Sequence, residues 1–269
     1  MLAPGALREA GLARLVDIDE GDAATVISSS DRDEETGVRA LPETIVAART
    51  LATALWTAVG AHPGRRPLVI GGDCSLLIGV FAGARAPVGL WLVDGHPDYL
   101  DAPSSDTGET ADQELALLTG DGPASLVGLG GAVPMVAAEH VALIGHRTLD
   151  LDASAAAELA RVPAGLFTLD AGSVIGNPPG AGRRAAEWAG GLGIPMWLHI
   201  DVDVLDPAVL PAVTYPQAGG PDFDQLAVLL GPLASSPSLV GVSVADFRPD
   251  LDPSGVYAAR LVSLLERVL

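Results

Sequence analysis

Two short stretches carry the residue types of a metal centre. "DGHPD" (94–98) alternates acid, histidine and acid, and "HIDVD" (199–203) alternates histidine, acid and acid. Both end apolar runs, "PVGLWLV" (87–93) and "PMWLHI" (195–200), that read as buried strands. Side chains two apart in extended chain share a face, so Asp94, His96 and Asp98 can converge, as can His199, Asp201 and Asp203. Collecting these aspartates in one small space is untenable without cations, because like charges at close range force protonation. A pair of divalent metals resolves the conflict through bridging carboxylates and an imidazole ligand. A single such triplet reads more simply as a capping acid beside a solvated histidine; two of them, each ending a buried strand, favour the metal.

The elements that must position these residues alternate along the chain. Further apolar runs occur at "RPLVIGG" (66–72), "VALIG" (141–145) and "LVGVSVAD" (239–246). Between the runs lie helical stretches such as "PETIVAARTLATALWTAVG", "AGRRAAEWAGGLG" and "FDQLAVLLGPLA". This order predicts an α/β fold with a mostly parallel sheet covered on both faces, in one domain over residues 1–269. Ligands of such sheets collect beyond the carboxyl ends of the strands. The remaining exits, "GGDCS" (71–75), "GHRTLD" (145–150) and "ADFRPD" (245–250), add Cys74, His146, Asp150 and Asp246 to the candidates. Residues 101–112 and 174–182 are loop-like by composition.

The formal net charge is -19, and all fifteen basic residues are arginine. That balance argues against nucleic acid or an anionic membrane as partner and favours small cations, whether metals or guanidinium and ammonium compounds. One cysteine cannot form an intramolecular disulfide, the first residues lack a signal-peptide pattern, and no uninterrupted apolar run reaches the roughly 18 residues of a membrane span; a cytoplasmic protein is expected.

"GGDCS", "DGHPD" and "HIDVDVLDPAVLPAV", the last continuing into "TYPQAGG", resemble in order the GGDHS, D-A-H-x-D and S-x-D-x-D-x-x-D-P segments of the ureohydrolases: arginases, agmatinases and formiminoglutamases. "APGALREAGL" and "VALIGHRTLD" extend the resemblance over nearly the whole chain. It implies a three-layer α/β/α fold and a binuclear, usually manganese, centre. By position Asp94 and Asp201 would bridge the metals, His96 and Asp203 would complete one shell, and Asp98 and Cys74 would fall to the other. A hydroxide between the metals would attack a guanidinium carbon, with Asp246 facing the guanidinium, releasing urea or a substituted urea and an amine. Homo-oligomers, trimers or hexamers, are usual in the family.

Four positions depart from that pattern. Cys74 stands where the family usually has a metal-binding histidine, and a soft thiolate disfavours manganese relative to zinc, iron, cobalt or nickel. It is open whether Cys74 ligates a metal, leaves the first site weak, or is a buried apolar side chain in a non-catalytic member that only binds guanidino compounds. His199 replaces a frequent serine and reads as a substitute ligand, an outer-shell donor or a satisfied core histidine. In "TGETADQE" Ala111 falls where arginases have a proton-transferring histidine, leaving Glu109, Asp112 or His146 for that task. Glu109 replaces an asparagine that helps read the α-carboxylate of arginine. The expected substrate is therefore a guanidino compound without that carboxylate, or one with an amine toward Glu109 or Asp150; Nω-hydroxy-L-arginine and formimino compounds are the other enzymatic options.

Overall fold

The computed structural model describes residues 2–269. Its strands are β1 (Leu68–Ile70), β2 (Gly89–Val93), β3 (Val141–Ile144), β4 (Phe167–Leu169), β5 (Met196–Asp201) and β6 (Leu239–Ala245). They form one six-stranded sheet in the order β1-β6-β5-β2-β3-β4, with every pairing parallel.

The two central strands, β2 and β5, are buried along their whole length, which is why they read as continuous apolar runs. Alternate residues feed two cores. Trp91, Val93, Leu198 and Ile200 pack with helices Pro178–Leu192, Phe223–Ala234 and Val256–Val268. Leu90, Leu92 and Trp197 pack on the opposite face with helices Leu41–Ala61, Leu76–Ala82 and Glu114–Leu118. The expected three layers follow from this alternation.

One sequence expectation is corrected. Residues 174–182 are largely helical, because Asn177 accepts from Gly180 N–H and Pro178 enters the first turn, where its missing N–H costs nothing. The helix Leu41–Ala61, 21 residues long, is by length and apolar composition long enough to cross a membrane, although Glu43 and Arg49 interrupt its apolar run. Here it lies on helix Leu76–Ala82, and Trp56 Nε1 donates to Val80 O at 3.0 Å.

From β2 the chain builds outward through β3 and β4, and from β5 it builds the other way through β6. The reversal makes the β2/β5 boundary the topological switch point, where open α/β sheets bind ligands.

Candidate metal centre

The register explains how residues far apart in sequence meet. Val93 pairs with Ile200, so the next step brings Asp94 beside Asp201; Asp201 in turn pairs with Ala245, the residue before Asp246. Gly71 N–H bonds Val244 O and Asp246 N–H bonds Gly72 O, which fixes the segment carrying Cys74 against the same exit.

The triplets converge, but not by continued strand alternation. Beyond each strand the chain turns, and the first aspartate caps the turn: Asp94 Oδ1 accepts from His96 N–H at 2.7 Å, and Asp201 Oδ1 accepts from Asp203 N–H at 2.7 Å. The two turns then lock together. Gly95 N–H donates to Asp203 Oδ1 at 3.1 Å, and His96 Nδ1 lies 2.8 Å from Asp203 Oδ2. The buried Arg147 braces them from behind, its backbone N–H on Gly95 O and its guanidinium on the carbonyls of Gly145 and Gln217 at 3.0 and 2.8 Å. Asp98 (φ 49°) and Asp246 (φ 65°) adopt left-handed conformations, uncommon for residues with a side chain. Such strain is retained where the surroundings dictate an orientation.

Cys74 Sγ donates to Asp201 Oδ2 at 2.6 Å and lies 3.1 Å from His199 Nε2. His199 Nδ1 is 2.7 Å from Ser243 Oγ, which also accepts from Trp197 Nε1 at 2.8 Å. With one lone pair taken by the indole, the Ser243 hydroxyl is free to donate to Nδ1; that tautomer places Nε2–H on the sulfur. Asp246 is held by the N–H and hydroxyl of Thr214.

Without a cation this arrangement is electrostatically frustrated. Burial first, and neighbouring carboxylates second, push Asp94, Asp98 and Asp201 well above the usual carboxylate range. The same causes raise Asp246 to about 7. Burial would raise Asp203 too, but His96 outweighs it and the net shift is downward; His96 rises in return, against the burial that would lower it. Burial takes His199 down to about 3, so its ring is neutral, and burial with Asp201 and Asp94 pushes the Cys74 thiol up. Asp94 Oδ2 is buried with no hydrogen-bond partner.

Four sets of donor atoms lie within 4.8 Å of one another: Cys74, His199 and Asp201; Cys74, Asp94, Asp98 and Glu114; Asp94, His96 and Asp203; and Asp201, Asp203 and Asp246. Shared carboxylates link the sets. An orphaned oxygen amid acids that cannot all ionise is the environment divalent cations satisfy, so the residues present fit a metal pair.

A cavity of about 490 Å³ opens over these residues, lined by Cys74, His96, Asp98, Asp201, Asp203 and Asp246 on its floor. Glu109 stands on the wall, raised by burial although Arg39 Nη1 lies 3.0 Å from its carboxylate and opposes the shift. His146 and Asp150 do not reach the cavity, contrary to the sequence expectation. β3 lies on the far side of β2 from β5, so its exit is displaced; His146 is buried near Asp170, with a pKa lowered by burial, and Asp150 is exposed. Two buried acids escaped sequence reading. Glu158 lines the cavity and accepts from Tyr99 N–H at 2.9 Å, and Glu114 lies under the floor. Both sit within helices, away from any strand exit, so no motif signals them.

A parallel α/β sheet whose switch point gathers linked sets of metal-ligating side chains beneath a cavity is the architecture of a metal-dependent hydrolase. The chain belongs to the arginase family, whose model matches residues 1–268, and it is an arginase-type hydrolase. It is 30% identical to the arginase of Brevibacillus brevis over 276 residues, which is 99% of this chain and 91% of that protein. Solved arginases superpose closely: that of Bacillus caldovelox with a TM-score of 0.86 at 28% identity, and that of Bacillus cereus with 0.85 at 26%, each match covering 99% of this chain and 91% of the other.

Proposed function

We propose that the protein hydrolyses a linear guanidino compound at a pair of divalent metals, releasing urea or a substituted urea and an amine. The observation that carries this reading is the set of mutually repelling buried acids, Asp98, Asp201 and Asp246 on the floor of the cavity with Asp94 grouped beside them. Asp94 and Asp201 would be shared between the ions, His96 and Asp203 would serve one of them, and Cys74 and Asp98 the other. When bound, such ions lower the pKa of a coordinated water and so supply the nucleophile. Manganese is the reading from family resemblance; cobalt, nickel, iron or zinc are the alternatives the thiol favours.

The protein's own side chains do the rest. Asp246, oriented by Thr214, accepts N–H bonds from the guanidinium, whose charge restores the ionised carboxylate that burial resists. As water oxygen bonds to the guanidinium carbon and the C–N bond breaks, the leaving nitrogen needs a proton. Glu109 on the wall, raised by burial, is placed to carry it where Ala111 offers none. Asp73, Asp106 and Asp112 line the same cavity and favour a substrate with a second positive group over one with a free carboxylate. Cytoplasmic location and a homo-oligomeric state rest on the single unpaired cysteine and on family resemblance respectively.

The test is urea release from a panel of guanidino compounds after loading with each divalent metal, beside Asp94→Asn and Asp201→Asn variants. Each variant should lose more than the roughly 100-fold that removal of an outer-shell partner costs. Undiminished turnover in either would sink the reading. Metal and guanidinium binding without turnover in the parent would favour the non-catalytic binder that Ala111 allows.

A further inference from the structure

Glu114 is the least expected side chain in this core. It is wholly buried among Leu115, Leu117 and Leu118, and neither of its carboxylate oxygens has a hydrogen-bond partner. A buried carboxylate without a donor is among the most destabilising groups a fold can hold, and a leucine there would extend the apolar cluster at no such cost. It stands with acids and a thiol: one donor atom each from Cys74, Asp94, Asp98 and Glu114 falls within the same 4.8 Å. The Asp98 and Glu114 carboxylates approach within that distance, and two buried acids so close are stable only if they share a proton or a cation. A third orphaned oxygen, Asp94 Oδ2, belongs to a residue of the same set and independently wants a positive partner.

We infer that Glu114 is a direct ligand of the metal held by Cys74, Asp98 and the shared Asp94 and Asp201, an addition that gives this site four carboxylates and one thiol. The inference rests on the metal-dependent reading above and extends it. Its chemical sense lies in the exchange at position 74. A thiol is a softer donor than imidazole and must lose a proton to bind, so a site built on it alone turns toward soft ions. A further carboxylate restores hard oxygen character and an extra negative charge, which retains manganese or a similar oxygen-seeking ion. The same side chain accounts for its own burial: with the ion present, both Glu114 and Asp94 Oδ2 have a partner.

The experiment is manganese stoichiometry and affinity, by elemental analysis and titration calorimetry, on the full chain and on Glu114→Gln and Glu114→Leu. Circular dichroism and thermal melting of the metal-free proteins report folding. Each variant should bind one manganese fewer per chain than the parent, or bind one of them at least 10-fold more weakly. The metal-free variants should melt at or above the parent's temperature, because an unpaired buried acid has been removed. Stoichiometry and affinity equal to the parent's in a folded variant overturn the inference and leave the proposed function standing. A parent chain that binds no divalent metal overturns both. Should Glu114→Leu fail to fold, Glu114→Gln, which keeps size and shape, decides the matter.

Discussion

Cys74 is the residue on which the chemistry of the centre turns. Its sulfur sits between Asp201 and His199, and its proton is held by burial and by the surrounding negative charge. A metal must therefore displace that proton before the thiolate can bind, a requirement a neutral imidazole does not have. Cys74→His should raise manganese affinity at one site by roughly 10-fold or more, at least what changes in outer-shell partners alone are worth. Titration calorimetry reads it directly, and zinc affinity should gain less because zinc accepts thiolate well. A variant that binds manganese no better than the parent would mean that the existing donors, sulfur included, already make a full shell. His199 is a positioning residue in this scheme: neutral, fixed on one side by Ser243 and presenting its other nitrogen to the sulfur.

Elements were legible in the sequence where apolar residues run on unbroken, most of all where burial is complete. β2, β3, β5 and β6 read as unbroken apolar runs because both faces are covered. β1, three residues at one edge, was still legible from its apolar run, whereas β4 at the other edge was not, because Thr168 breaks its run of three. The site followed the same rule. Acids at the ends of legible strands, Asp94, Asp201, Asp203 and Asp246, were visible, whereas Glu114 and Glu158 arrive from helices whose placement only tertiary packing decides. Packing also gives one glycine its meaning. Gly182 lets helix Pro178–Leu192 rest on helix Phe223–Ala234, and a Cβ there would lie 2.2 Å from Leu229 O, a backbone atom that cannot swing aside. Gly182→Ala should destabilise the protein by about 1–3 kcal/mol through overpacking. Calorimetry should show a melting temperature lower by several degrees, with the metal content of the folded fraction unchanged because the contact lies on the sheet face opposite Cys74. An unaltered melting temperature would show that the two helices separate freely, against the close approach seen here.

For the molecule as a whole, the buried acids couple stability to pH and metal together. Asp94, Asp98, Asp201, Glu114 and Asp246 have folded-state pKa values above those of an unfolded chain, the last at about 7. A carboxyl raised in this way binds its proton more tightly when folded. Its stabilising effect is complete below the unfolded value, near 4, and is lost as pH rises through the folded value. The net charge of -19 acts in the same direction through self-repulsion. The metal-free protein should therefore melt at progressively lower temperature from about pH 5.5 to pH 8.5. Divalent metal should reverse the trend, since it binds the deprotonated donors and its affinity grows as protons leave. At 100 times the dissociation constant it adds about 2.7 kcal/mol, which for a domain of this size corresponds to roughly 5–10 °C. Scanning calorimetry of the chelated and manganese-loaded protein across that range tests both halves. A chelated protein whose melting temperature climbs toward pH 8.5 would mean that the acids ionise comfortably without a cation, and the electrostatic case for a metal pair would fall with it.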